Sequence, residues 1–185
     1  MKATDVLHAR GRGAVALALG ATLLLALAAP AFAAGPVRPY RGTGTETSSL
    51  VPLMAPIEAC PAQTMFHVTG NGMGNFAHLG LAHYTFEWCA SANMATGDGW
   101  LTKDGSMALV AANGDQLVLT FDLTFKATPL PIPKTAVAHV DWTVQSGTGR
   151  FEDATGSGVA TWSVVYFPDL TGATSTSVWS GTIAY

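Results

Sequence analysis

The chain has 185 residues, 49% of them hydrophobic and 11% charged, with 9 basic and 12 acidic side chains and a formal net charge of −3. That balance argues against a nucleic-acid-binding surface, because phosphate recognition needs clustered Lys and Arg. Two cysteines far apart, with no C-x-x-C, make poor zinc ligands, and no motif implies a metal or another cofactor.

Residues 1–33 read as a secretory signal peptide. Lys2, Arg10 and Arg12 precede the apolar run AVALALGATLLLALAA, which breaks at Pro30. Ala31 and Ala33 then place small side chains where a signal peptidase needs them, so cleavage is expected between Ala33 and Ala34. The apolar run is shorter than the roughly 20 residues of a spanning helix, and no later run is long enough. The mature chain is therefore expected outside the cytoplasm and free of the membrane. It would keep 6 basic and 11 acidic side chains, a net charge of −5. In that oxidising compartment the even cysteine count favours a Cys60–Cys89 disulfide over two buried thiols. Closing its loop is worth about 3 kcal/mol in the chain-entropy model.

Residues 34–62 are rich in Pro, Gly, Ser and Thr and show no periodicity, so a flexible lead-in is expected there, ordered at most near Leu50–Ile57. The folded domain is then 63–185. From Thr64 onward period-2 alternation recurs, with turn residues between the segments. Ala82, Tyr84, Phe86 and Trp88 alternate with His83, Thr85 and Glu87; Leu117, Leu119, Phe121, Leu123 and Phe125 alternate with Thr120, Asp122 and Thr124. Ala138, Val140 and Trp142 alternate with His139 and Asp141, and Ala160, Trp162 and Val164 with Thr161 and Ser163. Trp179, Ile183 and Tyr185 share one face of the last segment. Asn113-Gly114 predicts a two-residue hairpin with positive φ at both positions. Asp98-Gly99 and Asp104-Gly105 predict further bends, and three prolines make 127–134 a loop. Seven or eight antiparallel strands with one apolar face fit an all-β closed barrel or a sandwich.

The glycine-rich stretch QSGTGRFEDATGSG (145–158) superficially resembles a phosphate cradle. Its spacing departs from G-x-G-x-x-G, and another strand rather than a helix follows it. The reading adopted is a hairpin whose glycines supply positive φ, with Phe151 plugging the core. The same G-x-G-x-F spacing at Gly72–Phe76 suggests a second, similar barrel corner.

GNFAHLG (74–80), AANGDQL (111–117), SGTGRFEDATGSG (146–158) and GTIAY (181–185) together resemble a set of exported bacterial proteins. They are similar to the allene oxide cyclase and dirigent barrels, in which a G-T-G-x-F stretch also occurs. The resemblance covers roughly residues 64–185 and implies a closed antiparallel barrel of about eight strands, often trimeric in the plant members. It transfers no activity, since the cyclase's acid and tyrosine positions find no motif match in this chain.

The candidate chemistry is sparse. His78 falls in phase with Ala82 and Tyr84, which makes it a buried hydrogen-bonded group or a cavity-lining acid–base residue. Tyr84, Trp142, Trp162 and Arg150 join His78 as candidate ligand contacts. The bland readings are core packing for the aromatics and a local ion pair with Glu152 or Asp153 for Arg150. The same-face pairs His139/Asp141 and His83/Glu87 are expected on the solvent side. Three functions follow: a barrel holding a small apolar molecule, a cyclase or isomerase confining an apolar substrate, or an interaction module forming a homo-oligomer, a trimer by resemblance. A cavity of about 300 Å³ or more with inward polar groups would favour the first two.

Overall fold

The computed structural model describes residues 35–128 and 134–185. The expected signal peptide and its cleavage site at Ala33–Ala34 lie outside the described residues. Among those described, no helix is long and apolar enough to cross a membrane.

Eight antiparallel strands run up and down in chain order: β1 (Arg38–Pro52), β2 (Phe66–Phe76), β3 (Gly80–Asn93), β4 (Asp98–Ala111), β5 (Gln116–Ala127), β6 (Thr135–Gly147), β7 (Thr155–Tyr166) and β8 (Gly172–Ala184). Each pairs with its neighbours in sequence, and β1 pairs with β8 to close the barrel. Closure satisfies both ladder faces of every strand and leaves no edge for another chain to join. The apolar parity expected from the alternation points to the axis: Leu117, Leu119, Phe121, Val140, Trp142 and Trp162 are all buried, while His139 and Asp141 are exposed. Polar residues outside and apolar ones inside reverse the arrangement of a lipid-embedded barrel.

The flexible lead-in is corrected. Residues 38–52 form β1, paired along its length from Gly42↔Phe76 to Pro52↔Phe66 on one side and from Arg38↔Ile183 to Ser49↔Gly172 on the other. The barrel domain therefore begins at Arg38, not at residue 63. Its inward residues are Tyr40, Gly42, Gly44, Glu46, Ser48 and Leu50, mostly too small to show as an apolar alternation. The small residues have a packing role. A Cβ on Gly44 or Gly72 would collide with the Tyr84 ring, and one on Gly70 with Phe86, so β1 and β2 form a thin wall on which the β3 aromatics lie.

Three turn expectations change as well. At 111–115 the loop has three residues, closed by Ala111 N–H on the Asp115 carbonyl; only Gly114, at φ 89°, is left-handed. This is the bulged hairpin rather than the two-residue form, and it spares Asn113 a positive φ. Asp98-Gly99 and Asp104-Gly105 lie within β4, where the register with β5 shifts between Trp100 and Gly105. Gly99 and Gly105 admit the rings of Phe125 and Phe121. The turn before β4 is instead made by Gly97, at φ 78°.

The glycine-rich 145–158 stretch is a strand connection. Gly149–Phe151 forms a single 3-10 turn, and Phe151 is wholly buried against Tyr185, with ring centroids 4.9 Å apart. Gly158 and Gly181 face each other across β7 and β8, and a Cβ on either would come within 2.6 Å of the Trp142 indole. Gly158 of TGSG and Gly181 of SGTIAY thus make room for a tryptophan. The other G-x-G-x-F copy, Gly72–Phe76, is continuous strand. The two copies share an inward phenylalanine at the same end of the barrel but not a backbone conformation.

Cys60 and Cys89 form a disulfide, with Cα atoms 5.7 Å apart. It clamps the β1–β2 connection onto the outward side of β3, where Ser91 Oγ also donates to the Gln63 carbonyl at 2.7 Å.

Candidate functional site

The two ends of the barrel are filled differently. At the end where β1 begins, Tyr40, Phe76, Trp142 and Phe151 are all at most 1% exposed. Tyr40 stacks on Phe76 at 6.2 Å and meets Trp142 edge-on at 5.1 Å. Aromatic rings thus fill the space around the axis at this end. At the opposite end a cavity of about 170 Å³ opens along the axis. Its upper wall combines Phe66, Trp88, Phe125 and Tyr166 with Ala90, Ala92, Ala127, Ala136, Ala138 and Ala173. Six alanines at inward positions account for the space, since each replaces a side chain that the other end fills with an aromatic ring.

Phe86, Trp162, Ser48 and Ser175 lie deepest among the lining residues, and no described lining residue is charged. Below them sits Glu46, 3% exposed. The Tyr84 hydroxyl donates to its Oε1 at 2.6 Å, the Ser177 hydroxyl donates to the same oxygen, and Ser175 Oγ donates to Oε2 at 2.9 Å. Trp179 Nε1 completes the chain by donating to Ser177 Oγ at 2.9 Å. Among the described residues no basic side chain pairs with Glu46. Desolvating a lone carboxylate costs several kcal/mol, which hydrogen bonds from three hydroxyls offset in part. Burial foremost, and then the Glu46 charge, raises the Tyr84 pKa well above that of an ordinary tyrosine, so its proton stays in the hydrogen bond. Burial alone also raises Tyr166 at the cavity wall. Two wall donors, Trp88 Nε1 and Trp162 Nε1, are buried without an acceptor among the described residues.

Of the sequence-derived candidates, Trp162 lies in the cavity floor, and Tyr84 stands one layer deeper as a partner of Glu46. Trp142 belongs to the plugged end. His78 is not in phase with Ala82, because the β2–β3 turn puts it at φ 70° and breaks the alternation. Its ring is half-buried at the plugged end, where Nε2–H donates to the Pro39 carbonyl at 2.9 Å and the ring meets Tyr185 at 5.7 Å. His78 is therefore remote from both the cavity and Glu46. Arg150 pairs with Asp115 of the neighbouring hairpin at 3.1 Å, not with Glu152 or Asp153, and lies over the Phe151 ring. Glu87 pairs with His67 at 2.8 Å rather than with His83.

Sequence reasoning missed Glu46, Ser48, Ser175 and Ser177. The available signal was parity: counted from Tyr40 to Leu50, Glu46 is the one charged residue in the inward phase of RPYRGTGTETSSLVP.

The outer wall is also divided. Outward positions of β7, β8, β1 and β2 between Arg41 and His67 are Thr, Ser, Asn, Val and Met without an acid or a lysine, and include the exposed Val159, Val165, Val178 and Met73. By contrast β3 to β6 carry exposed charged residues, among them Glu87, Asp98, Asp104, Asp122, Lys126 and Asp141.

Comparison with known proteins gives no match to any family model, to any curated protein or to any solved structure.

Proposed function

We propose that this protein is an exported barrel that holds a small apolar molecule in the cavity beside Trp88, Phe125 and Trp162. The observation that carries the reading is the contrast between one end plugged by aromatic rings and another left hollow, uncharged and lined by alanines. The cavity is smaller than a drug-sized site, but apolar cavities of about 150 Å³ hold a benzene ring, so the ligand is the size of a single ring. Export is supported by the N-terminal signal pattern and by the disulfide. The closed eight-stranded meander supports placing the chain with the allene oxide cyclase and dirigent-like barrels.

The test is calorimetric titration with cyclohexanol or toluene, alongside an Ala138→Leu variant that fills the cavity. Saturable binding by the wild type that the variant loses is the expected result. Absence of binding by either ligand would end the reading.

A second reading, a cyclase or isomerase, is favoured by the buried Glu46 network. Glu46 takes the acid–base role first considered for His78, exchanging a proton with the substrate through Ser175. Isomerisation returns that proton elsewhere on the same molecule, so no co-reactant is needed. A third reading, self-association, is favoured by the uncharged face of β7, β8, β1 and β2, where copies of an acidic chain can meet without repulsion.

A further inference from the structure

The cavity floor has a donor–acceptor balance that restricts the ligand beyond its size. A serine hydroxyl has one proton to give and two lone pairs to offer. Ser175 Oγ gives its proton to Glu46 Oε2 at 2.9 Å, and Ser48 Oγ gives its proton to the Ala173 carbonyl at 3.4 Å. Glu46 accepts from Tyr84, Ser177 and Ser175 together. Both floor serines therefore present only lone pairs to the cavity. Nearer the mouth, Asn93 Oδ1 is taken up by the backbone N–H groups of Ala95 and Thr96, and Thr128 Oγ1 by those of Lys134 and Thr135.

We infer that the cavity selects a neutral single-ring alcohol or phenol, whose hydroxyl proton is received by Ser175 Oγ under the charge of Glu46. This rests on the ligand-holding reading and specifies the chemistry of that same site. A hydroxyl can donate its proton to Ser175 Oγ. A ketone offers lone pairs only, so it sets an acceptor against the serine acceptors. A hydrocarbon leaves the serine lone pairs that face the cavity without a donor. Ser175 is a specificity-determining residue in this account, and Glu46 is a positioning residue that acts through it by claiming its proton.

The test compares cyclohexanol, cyclohexanone and methylcyclohexane by isothermal titration calorimetry on the mature, oxidised protein. Cyclohexanol should bind about tenfold more tightly than cyclohexanone, the difference one well-made hydrogen bond supplies. Ser175→Ala should erase that preference. Glu46→Gln should do more. Its amide oxygen can stay with Tyr84 and Ser177 while its NH₂ donates to Ser175, which turns the serine proton toward the cavity and shifts the preference to cyclohexanone. Should Glu46→Gln fail to fold, Ser175→Ala alone decides the matter. Equal affinities of the wild type for alcohol and ketone would overturn this inference while leaving the ligand-holding reading intact. Failure of all three compounds to bind would overturn both.

Discussion

The two ends of the barrel obey the same alternation and differ in what accompanies the large side chains. At the plugged end Tyr40 joins Phe76 to Trp142 and Phe151 packs on Tyr185, with glycines where a ring needs a slot, as Gly158 and Gly181 provide for Trp142. At the cavity end Phe66, Trp88 and Phe125 stand among alanines; the Trp88 and Phe125 rings meet at 6.4 Å, and the cavity stays open beside them. An inward-facing strand set thus guarantees an apolar interior but not a filled one. Filling is decided layer by layer, by side-chain volumes that different strands bring to one level.

That contrast can be broken most severely by truncation. Phe151→Ala, at a fully buried position, should cost about 3–5 kcal/mol. Phe125→Ala at the cavity wall, where the ring is only partly buried, should cost roughly half as much or less, because less area is lost from a dry environment. Chemical denaturation of both variants measures the difference. Equal losses would mean that the cavity end is packed as tightly as the plugged one.

Insertion sharpens the comparison with a smaller effect. Ala82 and Ala138 are both buried inward alanines, at 1% and 3% exposure, but only Ala138 borders the cavity. Ala82→Leu should overpack its layer and cost about 1–3 kcal/mol. Ala138→Leu has space to occupy and should cost under about 1 kcal/mol or stabilise the fold. Thermal unfolding midpoints decide it; a larger loss for Ala138→Leu would show that the cavity walls have no room.

The smallest effect is with acid. Hydrogen bonding holds the carboxyls of Asp98, from Lys126, and Asp169, from Thr171, below the usual carboxylate range; Asp98 opens β4 and Asp169 sits in the β7–β8 turn, both at the cavity end. A depressed folded-state pKa contributes stability above the unfolded value near 4 that is lost as pH falls through the folded value. Lowering the pH from about 5 toward 2 should therefore loosen the cavity-end turns first. Amide exchange across that range should show protection falling at Asp98 and Thr171 before it falls at Phe151 and Ala154. The reverse order would contradict the assignment.

Strands β3 and β5 to β8 were legible because their inward residues are large and apolar, and their outward ones polar. His139 and Asp141 were placed outside by the same reasoning, and the cysteine pairing followed from having only two. β1 was illegible because its inward row, with Gly42, Gly44, Glu46 and Ser48, contains little that looks like a core. Its partners make it a strand: β8 lies some 145 residues away at the Arg38↔Ile183 pairing, beyond the reach of any local pattern. The principal site residue lay on that unread strand, while His78 drew notice from a periodicity that its own turn interrupts.

Alternation is a property of one strand, so the sequence alone determined an all-β chain, the inside and outside of most of its strands, and its disulfide. Closure, the hollow end and the Glu46–Ser175 network depend on residues from strands distant in the chain arriving at one level of the axis. Only the tertiary structure decided them, because volume and hydrogen-bond partners at that level are shared among strands and written in no single one.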